Sequence, residues 1–368
     1  MSNFNNGSGT VGGGSGGGGA DGNENNNNTV SGAGSGAPTP SDASLLTSLK
    51  QSRSPPPDRA TRFMAAPLSA PTDPKRPRPR PSASRVLHLG LPPGALASRI
   101  LTVGDPARAA LLASHLTPRP QDKGRLFIHS SSRGFTTYTG LFLSTPISII
   151  SFGMGSQMID FLVRESRDVA PPGPIIIISY GSAGGLKPTV PVGTCVIISQ
   201  SVNITRNSDH WTSGKGTPYN ISLPVPANPR LTSHIYSQVK QSSPCVLGES
   251  ATTCSFYSSQ ARTDGNFDDR NTTLISQIQK KANPTSMEME SFHLLDLARS
   301  TRGQNRIASG SAVVVVANRV TGEVVEGRKL AEVEGRVGVA LLRAVCGVDL
   351  GEIWEGEDLN DGESDESA

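Results

Sequence analysis

Gln260 and Arg262 stand one residue apart in Phe256-Tyr257-Ser258-Ser259-Gln260-Ala261-Arg262, and a carboxamide beside a guanidinium matches the hydrogen-bonding edge of uracil. The carboxamide offers a donor and an acceptor, the guanidinium offers donors only, and an aromatic ring such as Phe256 can cover the face of a base. A solvated loop carrying one Gln and one Arg has the same composition, so the weight of this pair rests on its neighbours.

A carboxylate cluster follows in Met287-Glu288-Met289-Glu290-Ser291. Glu290 stands at the head of a helical stretch, where an acid complements the positive end of the helix. Three glycine-bearing segments come earlier: Gly104-Asp105-Pro106, Gly153-Met154-Gly155-Ser156 and Gly181-Ser182-Ala183-Gly184-Gly185. Each follows a strand candidate and is expected to form a turn at that strand's C-terminal end. In open α/β sheets this edge receives ligands, and missing side chains let backbone N–H groups approach an anion such as phosphate. None completes a dinucleotide or Walker pattern, so each also reads as a tight structural turn. Arg108, four residues beyond Gly104, adds a planar, permanently charged fork suited to phosphate.

The elements that must hold these residues are visible as short β-branched runs: Ile100–Val103, Ile147–Phe152, Ile175–Ser179, Cys195–Ser199 and Val313–Val316. Between and after them, Asp160–Val169, Leu231–Val239, Ser291–Arg299 and Ala331–Val345 place apolar residues at helical spacing. Strands alternating with amphipathic helices predict an α/β sandwich with helices on both faces of a largely parallel or mixed sheet.

Composition divides the 368 residues into three parts. Residues 1–84 run through Gly/Ser, Asn and Pro tracts with too few large apolar side chains to offset the entropy of ordering, and are expected to be disordered. Residues 85–350 carry the folded domain, and residues 351–368 form an acidic, solvated tail. The net charge of +3 joins a basic run, Lys75 to Arg80, to that acidic end, and implies no nucleic-acid-binding domain. The basic run has the composition of a nuclear address, of a nucleic-acid contact and of a plain linker alike. The four cysteines, Cys195, Cys245, Cys254 and Cys346, have no zinc spacing, so no metal is expected. With no long apolar run or signal region, the expectation is a cytoplasmic protein with reduced thiols and no membrane partner.

Taken in order, these segments resemble the uridine phosphorylases of the nucleoside phosphorylase family. The resemblance runs through Val86-Leu87-His88-Leu89-Gly90-Leu91, Val103-Gly104-Asp105-Pro106-Ala107-Arg108, Ser132-Arg133-Gly134-Phe135-Thr136-Thr137-Tyr138, Gly181-Ser182-Ala183-Gly184, Gln260-Ala261-Arg262-Thr263-Asp264-Gly265, the Met287–Ser291 segment and Ala317-Asn318-Arg319, and so covers essentially the whole folded part. It implies a three-layer α/β/α sandwich with a central mixed sheet. It also implies phosphate-dependent cleavage of the N-glycosidic bond of uridine or a related pyrimidine nucleoside, with inorganic phosphate as co-substrate and no cofactor. By the same resemblance Gly104, Arg108, Arg133 and Ser182 bind phosphate, while His88, Glu288, Met289 and Glu290 meet the ribose. Ala183, Gly184, Phe256, Gln260, Arg262 and Arg319 surround the base, and His88, Glu290 and Arg262 are the residues expected to serve the chemistry. His88 and Arg133 are implied to cross from a neighbouring subunit, so a homodimer or a ring of dimers is expected.

One position departs from the family. Two residues before Gly181, where an arginine typically grips phosphate, this chain has Ser179. Loss of one donor from a preorganised anion site costs on the order of 2.7–4 kcal/mol, or about a hundredfold to a thousandfold in rate. Arg164 and Arg167 in the following helical region are the candidates to replace it. A nucleoside-binding protein with weakened turnover and a nucleosidase of the same fold therefore stand beside the phosphorylase.

Overall fold

The computed structural model of the chain describes residues 85–354 apart from Arg302. The extension 1–84, with the basic run Lys75 to Arg80, and the acidic stretch 355–368 lie outside the described residues. In chain order the strands are β1 (Arg99–Val103), β2 (Phe127–Ser130), β3 (Thr136–Phe142), β4 (Thr145–Ser151), β5 (Ile175–Gly185), β6 (Cys195–Arg206), β7 (Tyr219–Ile221), β8 (Val225–Pro226), β9 (Cys245–Thr253), β10 (Ser286–Glu288) and β11 (Ile307–Asn318). The helices are α1 (Pro106–Ala113), α2 (Ser156–Val169), α3 (Ser208–Ser213), α4 (Pro229–Lys240), α5 (Leu274–Lys281), α6 (Ser291–Arg299) and α7 (Gly327–Gly347). None of these is long and apolar enough to cross a membrane.

The strands form one mixed sheet in the order β10-β9-β6-β11-β5-β1-β4-β3-β2, with β7 and β8 attached to β6. Its centre is parallel: β1 pairs with β4 and β5, and β5 with β11. The β2–β3 hairpin continues one side antiparallel to β4, and β6 meets β11 antiparallel.

Central strands covered on both faces need apolar residues at every position, which is what Ile175-Ile176-Ile177-Ile178 supplies. Ile176, Ile178 and Tyr180 enter one core with Leu112 of α1, Leu231 and Ile235 of α4, and Val337 and Leu341 of α7. Ile175 and Ile177 enter the opposite core with Ile159 and Leu162 of α2 and Leu294 of α6. The two-residue alternation of β5 thus sorts helices onto both faces, the α/β/α arrangement expected.

Three departures from the sequence expectation have plain causes. Gly181–Gly185 is not a turn after a strand but the last five residues of β5, in register with Val313–Asn318 of β11. Small residues are needed there because a Cβ on Gly185 would lie 2.8 Å from Val315 Cγ1. Strand β9 escaped the apolar pattern because its buried end, Ser250 to Thr253, is largely hydroxylated. Finally, Glu352–Trp354 forms a short 3-10 turn, with Ile353 buried in the α7-side core, so the packed chain runs past Gly351.

The two other glycine segments do end strands. Asp105 closes β1 and caps α1, accepting from the Ala107 amide at 2.7 Å, with Pro106 at the first helical position. Gly153 follows β4 at φ +82° and donates its amide to the Gly104 carbonyl at 3.1 Å. The loops are pressed together so closely that a Cβ on Gly104 would sit 2.7 Å from the Gly153 oxygen. The obstacle is backbone, which cannot step aside as a side-chain tip can. Gly104→Val is expected to lower unfolding free energy by about 1–3 kcal/mol, measured by urea denaturation; an unchanged midpoint would mean that the loops separate freely.

Candidate active site

At the C-terminal edge of β1, β4 and β5 three groups of side chains meet. The first is built around a cation. Arg108, on the first turns of α1, donates from Nη2 to Ser182 Oγ at 2.8 Å, and its guanidinium lies 5.0 Å from the centre of the Tyr180 ring. Its Nε is buried without a hydrogen-bond partner. Arg108 also forms an ion pair with Glu334 of α7, a residue that the sequence reading did not single out. The available signal was an acid between the apolar residues Val333 and Val337 on one helix.

The second group is built around two carboxylates with different tasks. Glu288 is buried and fully engaged. Its Oε1 accepts from Ser250 Oγ at 3.1 Å and Thr252 Oγ1 at 2.5 Å. Its Oε2 accepts from the amides of Glu290 and Ser291, both at 2.7 Å. These bonds cap α6, a task the sequence reading offered to Glu290. Glu290 instead reaches across to α2, its Oε1 accepting from the Gly155 amide at 2.6 Å and its Oε2 from the Met289 amide at 3.2 Å. Burial first, and the Glu288 carboxylate second, push the Glu290 acid from 4.5 up to about 7, while the two amide bonds pull the other way. Met289 beside it is half-buried.

The third group is the base-edge candidate. Gln260 is buried and donates from Nε2 to Thr253 Oγ1 at 3.1 Å. One carboxamide hydrogen and the carboxamide oxygen remain for another partner. Arg262 donates from Nε to the Phe256 carbonyl at 3.1 Å and stacks 4.0 Å over the Phe256 ring. Arg319 donates from Nη2 to the Gln260 carbonyl at 2.8 Å, and its Nη1 is buried and unpartnered. Burial, with Arg262 nearby, lowers the Arg319 pKa. Gly184 lies under this arginine, where a Cβ would come within 3.2 Å of Arg319 Cγ. Ala183 faces away into a small apolar core with Val313 and Val315. Asn271 holds the loop by donating to the carbonyls of Ser258 and Arg262, each at 3.0 Å.

Shared partners join the groups. Thr253 Oγ1 accepts from Gln260 and donates to the Glu288 carbonyl at 3.1 Å. The Gly155 amide ties Glu290 to the loop touching Gly104, and β5 carries both Ser182 and Gly184, two residues apart or about 7 Å. Sequence reasoning missed Ser250, Thr252 and Thr253, whose hydroxyls have meaning only once β9 lies beside β10.

Other expected residues make no contact with these groups. His88 donates its amide to Glu165 Oε2 at 2.9 Å, pairs through Nδ1 with Glu165 Oε1 at 2.7 Å and stacks on Phe161 at 3.7 Å. Glu165 is ten residues along α2 from Gly155, about 15 Å at the helical rise, so His88 does not meet Glu290 of its own chain. Arg133 is exposed in the β2–β3 turn, and among the described residues only its main-chain amide is bonded, to Ser131 Oγ at 3.2 Å. Ser179 is buried and by alternation shares the face of Ile175 and Ile177, opposite Ser182. Neither expected substitute reaches it: Arg164 pairs with Asp160 one turn back at 2.7 Å, and Arg167 donates to the Gly173 carbonyl at 2.6 Å at the far end of α2.

The pattern of the phosphorylase superfamily matches residues 98–344. The chain belongs to this superfamily. Among its relatives, a uridine phosphorylase of Thermococcus kodakarensis is 27% identical over 250 residues, covering 67% of this chain and 82% of that one. Among solved structures, one from a study of two diverse uridine phosphorylases in the oomycete Phytophthora capsici is 38% identical, with a TM-score of 0.66, over 72% of this chain and 97% of that one. A purine nucleoside phosphorylase of Toxoplasma gondii solved with immucillin-H shares the fold, at 19% identity and a TM-score of 0.56, over 72% of this chain and 96% of that one. Every superfamily segment named above from Gly104 to Arg319 lies within the matched span.

The raised Glu290 acid has a consequence for stability. Between pH 4.5 and about 7 the folded protein keeps a proton that the unfolded chain has released, so stability falls as pH rises through that window. Chemical denaturation at intervals of pH is expected to show this decline in the parent protein and a flatter profile in Glu290→Gln. Identical profiles would mean that Glu290 ionises normally.

Proposed function

We propose that the protein is a uridine phosphorylase, a pentosyltransferase cleaving uridine with inorganic phosphate to uracil and ribose 1-phosphate in pyrimidine salvage. The observation that carries this reading is the base-edge group. Gln260 holds out an acceptor and a spare donor beside the guanidinium of Arg262, with Arg319 behind them. A uracil edge presents the complementary imide N–H between two carbonyls. A purine edge offers a different pattern, and for that reason uridine is favoured over inosine.

Uracil would lie against Gln260, Arg262 and Arg319 near Phe256 and Gly184. The ribose would lie by Met289 and Glu290, whose ionised form accepts from hydroxyls, with Glu288 positioning that segment from beneath. Phosphate would enter between the Gly104 loop, Arg108 and Ser182. As the C1′–N1 bond breaks, its electron pair moves onto uracil and positive charge grows on the ribose. A phosphate oxygen then forms the new bond at C1′, and the uracil anion takes a proton from solvent. Cationic donors at the base edge accelerate this step to the extent that their bonds tighten as charge arrives. His88, held by Glu165, and Arg133, exposed in the β2–β3 turn, would serve the ribose and phosphate of a neighbouring copy, making a homodimer the smallest complete unit.

Ser179 favours a second reading, a nucleoside-binding protein of weakened turnover, because neither Arg164 nor Arg167 replaces the arginine expected at that position. Both readings are tested by incubating the full-length protein with uridine, with and without phosphate, and following uracil by chromatography. Strict phosphate dependence is expected. Release without phosphate would indicate a nucleosidase, and binding without release the second reading.

Arg262→Leu is expected to weaken uracil binding by about 1.5–3 kcal/mol, roughly tenfold to a hundredfold, while phosphate affinity stays near that of the parent. Calorimetric titration of each ligand separates the two effects, and an equal loss of both would remove Arg262 from the base edge.

A further inference from the structure

We propose that Glu334 is a built-in competitor for phosphate: its carboxylate occupies the seat formed by Arg108 and Ser182 and must leave it when phosphate enters. The inference rests on the phosphate seat proposed above and concerns what fills it in the unliganded protein. Two donors converge on one carboxylate oxygen. Arg108 Nη2 bonds to Glu334 Oε1, and Ser182 Oγ donates to the same oxygen at 3.4 Å. These are the donors that a phosphate oxygen at this edge of β1 and β5 would require, so the carboxylate holds an anionic oxygen where the substrate's would sit.

The placement of Glu334 is unusual for a surface acid. Its side chain is 17% exposed and that of Arg108 9%. Glu334 lies between the buried Val333 and Val337, and the helical neighbours on its own face, Leu330, Ala331, Val337 and Gly338, carry no cation. Among the described residues Arg108 is its one ion-pair partner. The α7 backbone at this point is fixed independently of the carboxylate, because the buried Tyr180 donates its hydroxyl to the Glu334 carbonyl at 3.0 Å. Gly338, one turn on, lets the helix close on Leu112 and Tyr180, where a Cβ would come within 2.4 Å of Leu112 Cδ2.

Arg108 does not need Glu334 for its orientation. The Tyr180 ring beneath it and the Ser182 hydroxyl already direct it, and its buried Nε is still free to donate. The carboxylate therefore adds a negative charge to the seat without being required to build it. With serine at position 179, Arg108 and Glu334 leave the described part of the seat with no net charge. A phosphate dianion would face a carboxylate at hydrogen-bonding range, an arrangement that like charges resist. Rotation of the partly exposed Glu334 side chain toward solvent relieves it and leaves the arginine fork to the incoming anion.

The test is calorimetric titration with inorganic phosphate of the full-length parent, Glu334→Gln, Glu334→Ala and Arg108→Gln, with uracil titration to verify that each variant is folded. Both Glu334 variants are expected to bind phosphate on the order of tenfold more tightly than the parent, within the usual range of coupling between two binding events, with uracil affinity unchanged. Having two variants of different shape protects the test against the misfolding of one. Phosphate affinity that is unchanged or weaker in the folded Glu334 variants, and abolished in Arg108→Gln, would overturn this inference and leave the phosphate seat standing. Phosphate binding in Arg108→Gln equal to that of the parent would remove the seat itself, and this inference with it.

Discussion

The buried carboxylate of Glu288 is the interaction on which the arrangement of the site depends. One oxygen is held by two hydroxyls of β9, the other by the first two amides entering α6. A carboxylate removed from water is tolerable only when its lone pairs are occupied, and here the partners come from both a strand and a helix. Fixing that corner aims Glu290 at the Gly155 amide and sets the Glu288 carbonyl where Thr253 can join it to Gln260. Glu290 and Gln260 are thereby referenced to a single buried charge.

The second organising feature is the uneven distribution of charge along the edge of the sheet. At the base end Arg262 and Arg319 lie close together, held by main-chain carbonyls of Phe256 and Gln260 rather than by acids. Among the described residues neither forms an ion pair. At the other end Arg108 is matched by Glu334, and the position expected to supply a further cation is Ser179. The two ends of this edge thus differ in charge: paired arginines at one, a matched arginine and carboxylate at the other.

Much of the fold was legible because it rests on local periodicity. The runs at Ile100, Ile147, Ile175, Cys195 and Val313 are strands, and the stretches containing Asp160, Leu231, Ser291 and Ala331 are helices. In each, the apolar residues supply most of the buried face. Strand β9 was not legible because Ser250, Thr252 and Thr253 are buried through hydrogen bonds rather than apolar contact. Gly181–Gly185 read as a turn because glycine marks turns more often than strand interiors. In this chain it marks a strand end where Arg319 crowds any Cβ at Gly184 and Val315 any Cβ at Gly185.

The sequence by itself determined the two-faced central strands, the phases of the helices, the glycine loops closing β1 and β4, and the residue types able to read a base, because these depend on spacing within about ten positions. Only the tertiary structure decided which polar groups meet. Arg108 finds Glu334 from 226 residues away, and Glu288 finds Thr252 across 36. His88 is turned toward Glu165, away from the Glu290 of its own chain. Such pairings are set by strand order and helix placement, which bring distant segments to one sheet edge. They reverse local expectation where a nearby acid, as at Glu334, alters the charge that a motif would otherwise present.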